Sequence, residues 1–269
     1  MAEIADILKK IVAQRRARVE ELLISELEID KRHGGWPRAM ADGERFSQAL
    51  ASAPGPAVIA EVKMGSPRLG SLEDSVDPVR QACLYAENGA VCLSVVVEPD
   101  FFFGSYDLLN RCRQASGLPT LAKDFIVHPI QLEWARDAGA DAVLLIAALH
   151  DAAELAALAA DARRLGLVPF VECHGEADLR LLAGSEWELI GINNRDLRTF
   201  DVSIDRSIAL VARIPAESLK IAESGIGSRD DIAKLEQAGF RGFLVGEALL
   251  LASDPAAKLR ELVGVPWVG

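Results

Sequence analysis

The sequence predicts an α/β chain folded as a single (β/α)8 TIM barrel across residues 1–269, with residues 1–55 forming an N-terminal helical extension. Three observations predict it. Short apolar segments alternate with helical patterns through eight successive units, the repeat expected of a closed parallel barrel. The apolar segments are near-continuous aliphatic runs, as parallel strands buried on both faces require. Several helical patterns stop at a glycine just ahead of the next run, at Gly89, Gly139, Gly166 and Gly239, where a left-handed residue closes the helix. An open doubly wound sheet is the competing architecture, and the absence of a G-x-G-x-x-G after the first strand disfavours it.

The elements follow in order. Ile4, Ile7, Leu8, Ile11 and Val12 recur at helical spacing, and Val19, Leu22 and Leu23 continue it, so an amphipathic helix precedes the first strand. His33 to Gly55 is rich in Gly and Pro and reads as a loop with a short helix around Arg45 to Leu50. Strands are expected at 57–62, 91–97, 118–122, 142–146, 168–172, 188–192, 218–222 and 241–245. Between them lie helical patterns from Asp77 to Asn88, Tyr106 to Ala115, Pro129 to Ala138, Asp151 to Leu165, Glu176 to Ala183, Asp205 to Ala212 and Ser228 to Ala238, with a last one at 254–263.

Bulk properties narrow the function. The net charge of -11 argues against nucleic acid or an anionic membrane as partner, while leaving room for a locally basic mouth. The longest apolar run, Ala142 to Leu149, is too short to span a bilayer, and charges interrupt the N-terminal apolar stretch, so neither a membrane anchor nor a signal peptide is expected. Cys83, Cys92, Cys112 and Cys173 form no C-x-x-C pair, and Cys83 and Cys92 read as buried free thiols in a reducing, cytoplasmic setting. The oligomeric expectation is a monomer or a weak homo-oligomer.

The chemistry sits at strand ends. Glu61 and Lys63 are spaced i, i+2 and point to one side of the first strand. Lys123 ends the third strand, with Asp124 after it reading as a cap. Glu172 ends the fifth, with His174 two residues on reading as a hydrogen-bonding side chain. Asn193 and Arg195 end the sixth, and the Arg fork suits a carboxylate or phosphate. Glu223, Ser224 and Gly225 follow the seventh, and Gly246 and Glu247 follow the eighth and open a helix. Those last two loops commonly hold phosphate in this fold. Glu61, Glu172 and Glu223 are expected to face Lys63, Lys123 and Arg195, a balanced set in which each group shifts its neighbours' pKa.

As a set these residues resemble the indole-3-glycerol phosphate synthase family. The likeness runs from about Ile4 to Leu262 through E-V-K-x-x-S-P at Glu61, F-F-G-S at Phe102, K-D-F-I at Lys123, A-G-A-D-A-V-L-L-I at Ala138, V-E-x-H at Glu172, I-G-I-N-N-R-D-L at Ile190, E-S-G-I at Glu223 and F-L-V-G-E-A-L at Phe243. The resemblance implies a barrel enzyme of tryptophan biosynthesis acting on 1-(2-carboxyphenylamino)-1-deoxyribulose 5-phosphate, with no cofactor and no metal. It implies Lys123 as general acid, Lys63 as anion holder and second acid, and Glu61 and Glu172 as further proton-transfer groups. Asn193, Arg195 and Glu223 would position the substrate. Ser66, Ser224, Gly225, Gly246 and the Glu247 N–H would surround its phosphate. Pro67, Phe102, Phe125 and Leu144 would wall its ring.

Departures from the family pattern cluster in the first loop. Met64 and Gly65 stand where a basic residue is common, and Arg68 stands where Ser is usual; Ala122 and His128 also depart. None removes a proposed catalytic group. The alternative reading is a specialised or non-catalytic paralogue that binds a similar aromatic sugar phosphate.

Overall fold

Strand alternation decides which side chains enter the barrel. The computed structural model describes residues 6–24, 41–196, 199 and 201–264, and in it eight parallel strands close on themselves. They are β1 (Ala57–Val62), β2 (Cys92–Val96), β3 (Thr120–Lys123), β4 (Ala142–Ile146), β5 (Val168–Cys173), β6 (Leu189–Asn193), β7 (Leu219–Glu223) and β8 (Gly242–Val245). Each pairs with its sequence neighbours, and β1 closes the ring against β8 with Ala57 opposite Gly242. The observed strands fall within two residues of the expected bounds.

Ala57, Ile59, Leu121, Leu144, Phe170, Leu189, Ile221 and Leu244 pack as one cluster inside the ring. Val58, Ala60, Val62, Leu93, Val143, Val171 and Ile190 point outward into a second cluster shared with the helices. Because side chains alternate, the inward series continues through Glu61, Lys123, Glu172, Asn193 and Glu223 at the C-terminal ends. The interior is plugged from below by Phe46 and Leu50 of α2 (Gly43–Ala51), both fully buried.

The outer helices are α3 (Pro78–Glu87), α4 (Tyr106–Ser116), α5 (Ile130–Asp137), α6 (Ala152–Arg164), α7 (Glu176–Leu181), α8 (Asp205–Leu210), α9 (Arg229–Ala238), α10 (Glu247–Leu250) and α11 (Pro255–Val263). Local chemistry starts them where the sequence suggests. Asp77, Ser105 and Asp254 cap α3, α4 and α11, while α6 and α9 open on capping boxes built from Asp151–Glu154 and Ser228–Asp231. Each such cap stabilises its helix by about 1 kcal/mol.

The N-terminal extension contributes α1 (Asp6–Ile24), which buries Leu8, Ile11 and Val19. Ile4 and the loop residues His33 to Met40 lie outside the described residues. Two details correct the sequence reading. Cys83 is half-exposed, because it lies on the outer side of α3, whereas Cys92, Cys112 and Cys173 are buried. The first β-α loop carries a small hairpin, pairing Gly65–Ser66 with Gly70–Ser71, too short for periodicity to show. No helix among the described residues is long and apolar enough to cross a membrane.

Candidate active site

The inward strand ends converge on one mouth. Lys63 Nζ donates to Glu61 Oε1 at 2.9 Å, and Lys123 Nζ donates to Glu61 Oε2 at 3.0 Å. Lys123 Nζ also lies 3.6 Å from Glu223 Oε2. One carboxylate thus bridges two ammonium groups, 62 residues apart in sequence for the Lys123 pair. Asn193 and Glu223 stand opposite each other in the β6–β7 register.

Glycine makes room for these groups. A Cβ on Gly246 would sit 2.4 Å from Glu61 Oε1, so Gly246 lets the carboxylate pack against the β8 end. A Cβ on Gly191 would sit 2.3 Å from Glu223 Oε1 and 2.5 Å from the Phe170 ring. Gly191 is an inward position of β6 and Gly246 directly follows β8, and at each the missing side chain is the space a buried carboxylate occupies.

The charge states follow from burial and neighbours. Burial pushes the Glu61 carboxyl up, but Lys123 and Lys63 together outweigh it and hold it down to about 2. Burial pushes Lys123 down, and the carboxylates of Glu61, Glu223 and Glu172 reverse that and raise it. Glu223 is pushed well above the carboxylate range by burial and by the adjacent Glu172 charge. Burial and neighbours therefore favour an ionised Glu61 and a protonated Lys123, and they shift Glu223 toward its protonated form.

This revises the balanced set of three against three. Arg195 does not join Glu61, Glu172 or Glu223; its Nη2 donates to Glu247 Oε2 at 3.3 Å. Glu247 also accepts from Arg68 Nη2 at 2.6 Å, so its carboxylate ties the first loop to the loop after β6. With Arg195 occupied there, the inner mouth would hold three carboxylates against two lysines. Burial and the Glu172 charge shift Glu223 toward its neutral form, which lessens that surplus.

The remaining expected residues fall around this core. Phe102 and Phe125 lie with ring centroids 6.0 Å apart, both half-buried, and Leu144 lies below them in the barrel interior. Ser66 Oγ accepts the Leu69 N–H at 3.1 Å inside the hairpin, and Pro67 is exposed beside it. Asn193 Oδ1 accepts the Arg195 N–H at 3.0 Å and so shapes the loop that carries the guanidinium. Ser224 and Gly225 both adopt positive φ, 64° and 75°, forming a tight turn after β7. The helix after β8 is the single turn α10, too short to build an extended dipole.

Three groups went unrecognised in the sequence or changed meaning. His174 is buried, with Nε2 3.3 Å from Glu172 Oε1 and Nδ1 3.8 Å from Asp178 Oδ2, which places it beside the site. Asn194 is fully buried; its Nδ2 donates to the Ser224 carbonyl at 3.0 Å while its Oδ1 accepts from Ser207. Its pattern N-N-R offered only Asn193 as the inward residue. Asp124 is not a simple cap, because it sits in a buried ion pair with Arg15 of α1.

A closed parallel barrel whose C-terminal mouth interleaves lysines with carboxylates belongs to the class of barrel enzymes that work by proton transfer. Comparison with known proteins gives the member of that class. The family model for indole-3-glycerol phosphate synthase matches residues 8–262. An indole-3-glycerol phosphate synthase of Polaromonas sp. (strain JS666) is 41% identical over 262 residues, covering 97% of this chain and 99% of the relative. One from Albidiferax ferrireducens is 42% identical over 258 residues, covering 96% and 98%. The chain belongs to the indole-3-glycerol phosphate synthase family, carboxy-lyases of tryptophan biosynthesis. At the level of fold alone, a thiamine phosphate pyrophosphorylase from Pyrococcus furiosus aligns with a TM-score of 0.59 at 14% identity, over 82% of this chain and 96% of that one.

Proposed function

We propose that the mouth closes the pyrrole ring of 1-(2-carboxyphenylamino)-1-deoxyribulose 5-phosphate with Lys123 as general acid. The carboxyl-bearing ring carbon attacks the ketone, and the electron pair of the broken C=O bond moves to oxygen. A protonated Lys123 gives that oxygen its proton and stabilises the charge more in the transition state than in the ground state. Loss of carbon dioxide restores the aromatic ring. Dehydration then removes the new hydroxyl as water, with an acid at the departing oxygen and a base at the remaining proton.

Lys63 takes the role of holding the substrate carboxylate and supplying the second proton. Glu172 acts as the base, and Glu61 fixes both lysines. Asn193, Arg195 and Glu223 orient the substrate's polar groups. Ser66, the Ser224–Gly225 turn and the N–H groups of Gly246 and Glu247 take the phosphate. Pro67, Phe102, Phe125 and Leu144 flank the aromatic ring. No cofactor or metal has a role in these steps. We place the chain in the cytoplasm as a monomer or weak homo-oligomer, without nucleic-acid or membrane partners; its four free cysteines and net charge of -11 support that reading.

The observation that carries the proposal is the position of Lys123 Nζ, held 3.0 Å from Glu61 and 3.6 Å from Glu223 at the mouth. Replacing Lys123 by Ala removes both the proton and the charge, and a loss of about 10³-fold or more in kcat is expected for a general acid that also stabilises an oxyanion. Its side chain closes β3 rather than packing the core, so the circular dichroism spectrum should stay that of the wild type. Indole formation by Lys123→Ala at near wild-type rate would overturn the assignment.

A further inference from the structure

Arg15 occupies an unusual place. It lies on the stripe of α1 formed by Leu8, Ile11 and Val19, and it is only 2% exposed. Burying a guanidinium costs several kcal/mol unless its partners are complete. Here the partner is the carboxylate of Asp124, which is close to the chemistry. Arg15 Nε and Nη2 donate to the two carboxylate oxygens of Asp124 at 3.0 and 2.5 Å, across 109 residues of sequence. Its guanidinium also lies 5.9 Å from the Trp134 ring centroid.

Asp124 directly follows Lys123. Its carboxylate accepts from five donors: the two of Arg15, Tyr106 Oη at 2.9 Å, Gln131 Nε2 at 3.0 Å and the Phe125 N–H at 2.8 Å. Saturated in this way, it is not available to draw the Lys123 ammonium away from Glu61. Gln131 extends the lock by accepting the Val127 and His128 N–H groups and donating to the Phe125 carbonyl. The loop that carries Phe125 is thereby fixed from the N-terminal helix.

One turn further along α1, Arg18 repeats the arrangement on the neighbouring loop. Its Nε donates to Asp100 Oδ2 at 2.9 Å and its Nη2 pairs with the other oxygen. The Asp100, Phe101 and Phe102 N–H groups all donate to the fully buried Glu98 carboxylate, so that loop is ordered as a unit. It carries Phe102, the partner of the Phe125 ring.

We propose that α1 is a clamp on the catalytic mouth, in which Arg15 and Arg18 are positioning residues: Arg15 sets Lys123 and Phe125 through Asp124, and Arg18 sets Phe102 through Asp100. The clamp deepens the functional reading above and rests on the roles given there to Lys123, Phe102 and Phe125. It assigns a catalytic consequence to a helix that lies outside the barrel.

The test uses the full-length chain with Arg15→Met, Arg15→Lys, Arg18→Ala and Asp100→Asn, measuring kcat, KM, thermal midpoint and the inhibition constant of inorganic phosphate. Phosphate probes the loops after β7 and β8, whereas Arg15 and Arg18 bond the loops after β3 and β2. Arg15→Met should lower kcat by up to about 100-fold, the scale of an ångström-sized misplacement, with Arg15→Lys recovering part of it. Arg18→Ala and Asp100→Asn should mainly raise KM. In all of them phosphate inhibition should stay within about twofold of the wild type, a split that mere loss of stability does not produce. Folded Arg15→Met and Arg18→Ala with wild-type kcat and KM overturn the clamp, whatever happens to the thermal midpoint. If Arg15→Met does not fold, wild-type KM in both Arg18→Ala and Asp100→Asn overturns it. An inactive wild-type chain defeats the functional reading and the clamp together, whereas an active wild type with unaltered variants defeats the clamp alone.

Discussion

Glu61→Gln isolates the carboxylate on which the mouth is built. The substitution is nearly isosteric, and Gly246 packs against the head group, so the amide must occupy the same space. Its oxygen can accept from one lysine, but its NH₂ then meets the other ammonium as donor against donor. Glutamine also mimics the protonated carboxyl, which lets linkage set the magnitude. A carboxyl held at about 2 instead of its ordinary 4.5 represents roughly 3 kcal/mol of preference for the ionised form. Glu61 is 7% exposed, so little of this is lost to solvent screening.

The sign follows from the depressed value. The stabilisation is fully present above the unfolded-state pKa of about 4.3. It is lost as pH falls through the folded value near 2. Urea unfolding at a series of pH values should show Glu61→Gln about 3 kcal/mol less stable than the wild type at pH 7, with the gap closing towards pH 2. Kinetics gives a second readout. Lys123 loses the charge that contributes most to raising it, while the opposing effect of burial remains. The alkaline limb of kcat should therefore move to lower pH by about one unit or more. A variant as stable as the wild type at pH 7, or one whose alkaline limb does not move, would refute the bridge as the organising contact.

Two further substitutions test the surroundings. Gly246→Ala places a Cβ 2.4 Å from Glu61 Oε1 and 2.9 Å from its Cδ. It should displace the carboxylate from its lysines, lower kcat at least about tenfold and cost about 1–3 kcal/mol by overpacking; wild-type kcat in a folded variant would show that the carboxylate position is not critical. Arg68→Ala cuts the first loop from Glu247. Both partners are substantially exposed, at 65% and 42% of the side chain, so stability should change by no more than about 1 kcal/mol. KM should rise severalfold if that pair holds the loop closed over substrate, and an unaltered KM would show that it does not.

The sequence was most informative where one residue's position follows from its own strand. Apolar runs located the barrel, and period-two alternation carried Glu61, Lys123, Glu172, Asn193 and Glu223 inward without reference to any other strand. It was least informative where a partner had to be known. Nothing in the helical pattern marks Arg15, because its partner lies 109 residues away. Asp124 reads as a cap for the same reason. Arg195 was paired with the inner carboxylates on sequence order, whereas the fold presents Glu247 at 3.3 Å. Glycine was legible as a helix stop through Gly89 and Gly139, but not as the cavity for a carboxylate through Gly191 and Gly246, since that depends on what stands across the barrel.

The pairing of Arg195 with Glu247 has a consequence for how an acidic protein could hold an anionic substrate. The inner mouth has two lysines, and one carboxylate already engages both. Were Glu223 ionised as well, an incoming carboxylate would meet a net negative pocket and Lys123 would be held by two counterions. The upward shift of Glu223 by burial and by Glu172 favours its neutral form and so lessens that repulsion without removing the group. The substrate's carboxylate can then compete with Glu61 for Lys63 while Lys123 keeps its contact. In the proposed mechanism the phosphate is left to backbone N–H groups beyond β7 and β8, which carry no formal charge and need no balancing carboxylate. In the proposed mechanism this division lets the two lysines serve the reacting end of the molecule, and it reconciles a net charge of -11 with a substrate that carries both a carboxylate and a phosphate.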